Sequence, residues 1–101
     1  MGISTHVLDT AKGHPAAGVG ITLENDHGVI ASGITNSDGR LKLIEGPPEA
    51  GTYRITFDTG GYDPNGFFPR VVIEFTVRGD AQHYHVPLLL SPFGYSTYRG
   101  S

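Results

Sequence analysis

A chain of 101 residues with a formal charge of −3, no cysteine and no cluster of Lys or Arg has room for one domain around one modest core. Disulfides and thiolate zinc sites are excluded, and there is no electrostatic footprint for nucleic acid. No apolar run nears a membrane span, and the start Met-Gly-Ile-Ser-Thr-His lacks the charged-then-apolar pattern of a secretory signal, so a cytoplasmic chain is expected, or a periplasmic one if a signal has been removed.

Residues 3–10 alternate as a first strand, with His6, Leu8 and Thr10 on one face and Thr5, Val7 and Asp9 on the other. Lys12 to Gly18 reads as loop, punctuated by Gly and Pro. Val19, Ile21 and Leu23 mark a half-buried strand, closed by the turn Asn25-Asp-His-Gly28. A third strand over 29–35 is weakened by Gly33 in its interior. The turn Asn36-Ser-Asp-Gly39 then sets Arg40 at the head of a short strand, Leu41 to Ile44. Residues 45–51 cannot hold a ladder, because Pro47 and Pro48 lack donors.

Tyr53, Ile55 and Phe57 alternate with Arg54, Thr56 and Asp58 in the cleanest strand of the chain. In 59–70, Gly60-Gly61 and Asp63-Pro-Asn-Gly66 argue turn after turn, with room for at most one helical turn. Val71 to Val77 alternates again, and two more strands follow at 83–90 and about 95–99, joined by Ser91-Pro-Phe-Gly94. Seven to eight short strands at this spacing predict an all-β fold: a two-sheet β-sandwich, one domain over 1–101, with at most one short helix.

The C-terminal stretch organises the rest. On a strand over 83–90, His83, His85, Pro87 and Leu89 share one face, while Tyr84, Val86, Leu88 and Leu90 share the other. Both faces are largely apolar, so one lines the core and the other, which carries the two histidines, needs a cover. Pro87 is awkward inside a central strand, which predicts a bulge or a missing ladder bond beside it. The chain then ends on a polar signature, Tyr95-Ser-Thr-Tyr-Arg-Gly-Ser101, where most chains fray without pattern.

Five histidines in a small chain raise the question of metal. His83-x-His85 is a good spacing for two ligands on one strand face, with His6 as a third, but no Asp, Glu or Cys in the same local motifs completes a site, and none is expected. His14 and His27 fall in a loop and a turn and are read as solvated. Arg40, taken alone, is surface decoration. His83 opens its strand beside a loop, whereas His6 and His85 sit mid-strand on faces shared with Leu8 and Leu89.

Read together, Thr5-His-Val-Leu-Asp-Thr10, Asn36-Ser-Asp-Gly-Arg40, Tyr84-His-Val-Pro-Leu-Leu89, Ser91-Pro and the terminal Tyr-Arg-Gly-Ser resemble the transthyretin-related 5-hydroxyisourate hydrolases from end to end. The last motif separates those enzymes from transthyretin, the hormone carrier of the same fold. The resemblance implies a transthyretin-like (prealbumin-like) sandwich assembled as a homotetramer, a dimer of dimers, with active sites in a channel between dimers. It also implies hydrolysis of 5-hydroxyisourate to 2-oxo-4-hydroxy-4-carboxy-5-ureidoimidazoline in urate catabolism, with no cofactor, metal, membrane or nucleic-acid partner. The positions that match the family's site are His6, Arg40 and His85, with Tyr98 and Ser101 of the tail.

In the chemistry this implies, His6 or His85 activates water and Arg40 stabilises the oxyanion. The second imidazole and Ser101 manage the proton of the departing nitrogen. His6, Arg40 and Tyr98 also bind substrate. Ser101 as a nucleophile ranks lower, since a terminus is a poorly fixed platform. One departure stands out: relatives carry a short helix where this chain has Gly-Gly and Asp-Pro-Asn-Gly. The rival reading is a transthyretin-like carrier of a small aromatic ligand in a tetramer channel, for which His6, Arg40, His85 and Tyr98 are costly lining. An immunoglobulin-like interaction module is disfavoured by the terminal motif.

Overall fold

Strands that alternate apolar and polar residues bury one face each, and in the computed structural model, which describes residues 1–100, those faces meet in one core. In chain order the elements are β1 (Gly2–Asp9), β2 (His14–Pro15), β3 (Gly20–Asn25), β4 (Gly28–Ile34), β5 (Arg40–Glu45), β6 (Gly51–Asp58), α1 (Thr59–Tyr62), β7 (Val71–Val77), β8 (His83–Leu90) and β9 (Tyr95–Thr97). One sheet runs β4-β3-β6-β7; the other runs β2-β1-β8-β9, with β5 also paired to β1. Ile3 and Val7 of β1, Ile21 and Leu23 of β3, Ile55 and Phe57 of β6, and Val86 and Leu88 of β8 are all buried between them. Complete burial of each such side chain stabilises the fold by about 1.5–3 kcal/mol. The two-sheet all-β sandwich is as expected from the alternation. Among the described residues no helix is long and apolar enough to cross a membrane.

The longest-range feature is the pairing of β1 with β8. These strands run parallel in unbroken register from Gly2 opposite His83 to Asp9 opposite Leu90. The two ends of the chain therefore make the middle of one sheet.

Three local details differ from, or sharpen, the reading by pattern. Two residues of the expected loop, His14 and Pro15, form a short strand on Leu8 and Asp9, because the loop folds back and Ala16 N–H donates to the Val7 carbonyl at 2.9 Å. The last strand pairs only through Thr97 opposite Leu88, and the ladder resumes as a lone bridge between His85 and Gly100. Pro87 lies in that gap. It has no N–H to offer β9, and the Thr97 hydroxyl donates to its carbonyl at 2.7 Å.

The single helical turn allowed for in 59–70 is present as α1, and the Gly-Gly pair lies within it. The Asp58 carboxylate caps α1 by accepting from Gly61 N–H at 3.1 Å, and Asp63 N–H closes the turn on the Thr59 carbonyl at 2.8 Å. A Cβ on residue 61 would come 2.6 Å from Oδ2 of the capping carboxylate, and one on residue 60 would come 3.0 Å from the Pro69 carbonyl oxygen that accepts the Gly60 N–H. The helix is then tied to the five-stranded sheet where the Tyr62 hydroxyl donates to buried Asp9 at 2.7 Å. Burial pushes the Asp9 carboxyl up, but the bonds from Tyr62 and Lys12 N–H prevail and hold it below its ordinary value. Burial and the Asp9 carboxylate push the Tyr62 phenol up to about 12.

Candidate active site

Cross-strand register gathers the candidate residues on the outer face of the five-stranded sheet. On β1, His6 stands opposite Arg40 of β5 and Pro87 of β8; two residues earlier, Ser4 stands opposite Lys42 and His85. Directly opposed residues share a face, so His6, Arg40 and His85 converge although the chain separates them widely. Ser4, Arg40, Lys42, His83 and His85 line a cleft of about 280 Å³.

The turn before β5 positions Arg40. The Asn36 side chain accepts from both Asp38 N–H at 2.9 Å and Arg40 N–H at 3.0 Å, an Asx arrangement that favours this residue type. Gly39 adopts φ +75, and a Cβ there would fall 2.4 Å from the Val7 carbonyl oxygen. Only glycine allows the turn to lie against β1 this closely.

The same turn sets the tautomer of His6. Its Nε2 lies 2.9 Å from the Asp38 carbonyl oxygen. A carbonyl only accepts, so Nε2 carries the hydrogen and the neutral ring presents a bare Nδ1 lone pair. The His85 ring, centred 6.4 Å from that of His6, has its Nδ1 2.8 Å from Ser4 Oγ. Burial lowers the His85 pKa below the ordinary histidine value, and the neighbouring charges of Arg40, His6 and His83 add to the effect. The shift favours the neutral imidazole. The imidazole–carbonyl and imidazole–serine bonds occupy one nitrogen of each ring, and among the described residues no group of three His, Cys, Asp or Glu is placed to hold a metal ion.

The tail covers His85. Gly100 N–H donates to the His85 carbonyl at 2.8 Å, and a Cβ at residue 100 would lie 2.6 Å from His85 Cδ2. The glycine of Tyr-Arg-Gly-Ser thus lets the terminus rest on the imidazole. Tyr98 stands apart from the histidines in the single chain: it is 59% exposed and lines a second cleft, of about 240 Å³, with Ile73, Phe75, Tyr84 and Arg99. Ser101 lies outside the described residues. His14 is exposed and turns its Nδ1 to the neighbouring Pro15 carbonyl at 2.8 Å, away from the cleft; His27 is exposed in its turn.

Pattern reading passed over Ser4 and Lys42. Ser4 lies two residues before His6, so strand parity places it on the same face; its contact with His85 depends on a register that periodicity does not encode.

A family model described as the HIUase/Transthyretin family matches residues 3–100. A 5-hydroxyisourate hydrolase of Caulobacter vibrioides is 46% identical over 114 residues, which cover 99% of this chain and 98% of that protein. Among solved structures, the 5-hydroxyisourate hydrolase of Klebsiella pneumoniae matches with a TM-score of 0.91 at 39% identity, covering 100% of both chains. Sea bream transthyretin in complex with thyroxine matches with a TM-score of 0.90 at 32% identity, covering 99% of this chain and 95% of that one. Backbone shape alone therefore does not separate hydrolase from carrier, but the match of sequence and fold over the full chain shows that it belongs to the HIUase/Transthyretin family.

Proposed function

We propose that the outer cleft opens the six-membered ring of 5-hydroxyisourate by hydrolysis, and that His6, Arg40 and His85 carry the reaction. Full-length relatives with that activity in their names support the hydrolase over the carrier. The observation that carries the site is the convergence of two imidazoles and a guanidinium on one sheet face. A carrier channel is better served by apolar walls with few polar groups.

In this mechanism the His6 Nδ1 lone pair draws a proton from water, whose oxygen attacks the ring carbonyl. The Nε2–H bond to the Asp38 carbonyl steadies the imidazolium that forms. The carbonyl oxygen becomes an oxyanion, and Arg40 donates to it from a fixed fork. The tetrahedral carbon then releases the ring nitrogen, which takes a proton from His85 Nε2. The products are a carboxylic acid, which loses its proton to solvent to become a carboxylate, and an N–H, and His6 returns its own proton to solvent. Tyr98 and Ser101 are assigned to substrate orientation and proton handling, as the family resemblance implies. No cofactor enters.

The hydrolase is further proposed to act as one domain within a homotetramer, a dimer of dimers. Leu8 and Leu89 flank the histidines on the outer face, and Phe93 (81% exposed) and Phe67 (69% exposed) crowd the loop that joins β8 to β9. Such apolar surface is what a soluble monomer seldom leaves open. Ultraviolet decay of freshly prepared 5-hydroxyisourate, corrected for spontaneous loss, tests the activity; light scattering tests the assembly. A chain that leaves the decay unchanged refutes the function, and one that is monomeric at micromolar concentration refutes the tetramer.

A further inference from the structure

Among the described residues, Ser4 is the one side chain hydrogen-bonded to two histidines. Its Oγ lies 2.8 Å from His83 Nε2 and 2.8 Å from His85 Nδ1. A hydroxyl has a single proton, so it donates to one ring and accepts from the other. The protonation of one imidazole therefore dictates what the other presents. His83 is exposed at the head of β8, its ring stacked 6.4 Å from that of His85, whereas His85 is half-buried under the tail. The three groups thus form a path from the cleft to solvent.

We propose that His83, Ser4 and His85 form a proton relay that refills His85 from solvent during ring opening, with Ser4 as a positioning residue and His83 as the solvent port. This rests on the reading of His85 as the donor to the departing nitrogen. The need for a relay follows from charge. The groups that face His85 are His6 on β1, Arg40 on β5 and His83 beside it on β8, with Lys42 on β5 along the same cleft; the Arg99 guanidinium of the tail lies 3.4 Å from the His83 carbonyl. All of these are cationic or able to become so, Lys42 being paired with Glu45 at 3.4 Å, and among the described residues no carboxylate is among the groups that act on His85. Such surroundings keep His85 neutral, and a neutral imidazole that gave up Nε2–H alone would be left as a costly anion.

The relay removes that cost. As His85 Nε2–H passes to the ring nitrogen, the Ser4 hydroxyl proton moves to His85 Nδ1. The proton on His83 Nε2 moves in turn to Ser4 Oγ, and His83 recovers one from water at Nδ1. Each centre loses one proton and gains one. The leaving nitrogen gains one from solvent overall, and His85 ends neutral with its two nitrogens exchanged. After the product leaves, water entering the cleft supplies a proton to His85 Nε2 while Nδ1–H returns through Ser4 Oγ to His83 Nε2. His83 Nδ1–H goes back to solvent, which with rotation of the hydroxyl resets the path for the next turnover.

The test combines nitrogen NMR of the histidine rings in the assembled protein with steady-state kinetics. Ser4→Ala is expected to lower kcat about tenfold while KM stays within about twofold, and Ser4→Thr, which keeps the hydroxyl, to restore most of the loss. His83→Gln is expected to be slow in dilute buffer and to recover when imidazole is added, since a small base can replace the solvent port. In Ser4→Ala the His85 ring nitrogens should shift as the tautomer is released, and His83 and His85 should titrate independently. Should Ser4→Ala fail to fold, His83→Gln carries the same kinetic and titration measurements. Nitrogen shifts and titrations of His85 that are identical with and without the Ser4 hydroxyl, or with and without the His83 ring, overturn the relay. A fully active His85→Ala overturns the assignment of His85 instead, and the nitrogen measurement still judges the Ser4 link on its own.

Discussion

β6 and β8 are both strands of eight residues, each hydrogen-bonded on both sides in its own sheet, and each buries alternate side chains. Tyr53, Ile55 and Phe57 do so on β6; Tyr84, Val86, Leu88 and Leu90 do so on β8. Their outward faces differ. On β6, Arg54 is surrounded by Glu24, Asp26 and Glu74 at 3.9, 3.6 and 3.4 Å, a largely solvated cluster in which acids more than balance the one cation. On β8, the half-buried His85 faces Arg40, His6 and His83 with no acid to balance them among the described residues. Exposed ion pairs of the first kind are worth about 0–1 kcal/mol each. An uncompensated gathering of bases and cations in the second place weakens the fold, which is the mark of residues kept for chemistry.

The sharpest way to break the comparison is to delete each outward group. His6→Ala, His85→Ala and Arg40→Ala should each lower turnover by about a hundredfold or more, the usual worth of a positioned base, acid or oxyanion donor, with the assembly intact by light scattering. Arg54→Ala should leave turnover nearly unchanged and lower the melting temperature slightly. His14→Ala and His27→Ala should do neither. Near-wild-type decay of 5-hydroxyisourate in both folded histidine variants would return the outer face of β8 to the same standing as that of β6.

The tail offers a second, somewhat smaller test. Gly100→Ala places a methyl 2.6 Å from His85 Cδ2, so the imidazole must swing off Ser4 or the tail must lift. Displacements of this size cost up to about a hundredfold in rate, and a tenfold loss of kcat or more is expected, with little change in melting temperature. A Gly100→Ala protein with unaltered kcat would show that the tail has no part in setting the imidazole.

Legibility in the sequence followed the physics of each region. β3, β6 and β7 could be read because each has one wet and one dry face, which writes a period of two into the chain. On β8 both faces are largely apolar, so the pattern marked a strand without telling its two sides apart, while Pro87 announced the gap in its ladder. Pairing was not legible: that β1 lies parallel to β8, and so Ser4 beside His85, depends on contacts between opposite ends of the chain. The helix at 59–62 was legible only as room for one turn within 59–70, because the Asp58 cap and the close return of Pro69 that fix its place are not written in the local pattern. Tyr98 was grouped with the histidines by its motif, yet past the gap beside Pro87 the single chain sets it in the second cleft.

The sheet that carries the site can also be loosened without touching it. Tyr62→Phe removes a hydrogen bond to an ionised, buried Asp9, and should lower stability by about 1.5–3 kcal/mol while leaving the decay assay unchanged at a temperature where the variant stays folded. Because the Asp9 pKa is depressed in the folded state, its contribution is present above the ordinary aspartate pKa and fades as pH falls through the depressed value. Wild type and Tyr62→Phe should therefore converge in melting temperature toward strongly acid pH, and a difference that persisted there would place its origin in packing.

The smallest effect follows from the charge imbalance itself. The folded-state pKa of His85 is lowered, first by burial and then by Arg40, His6 and His83, so the unfolded chain takes up a proton at this position at a higher pH than the folded one. Stability falls in that case as pH drops below the unfolded histidine value of about 6.5, and levels off below the folded pKa. His85→Gln has nothing to titrate, so the difference in melting temperature between wild type and His85→Gln should be flat above that pH and shift against wild type below it. Arg54→Ala, on the balanced face, should track wild type across the same range. If the His85→Gln difference is equally flat on both sides, His85 is not held neutral by its surroundings. In that case the folded and unfolded chains bind this proton alike, and the charge imbalance that calls for a relay is not felt at His85.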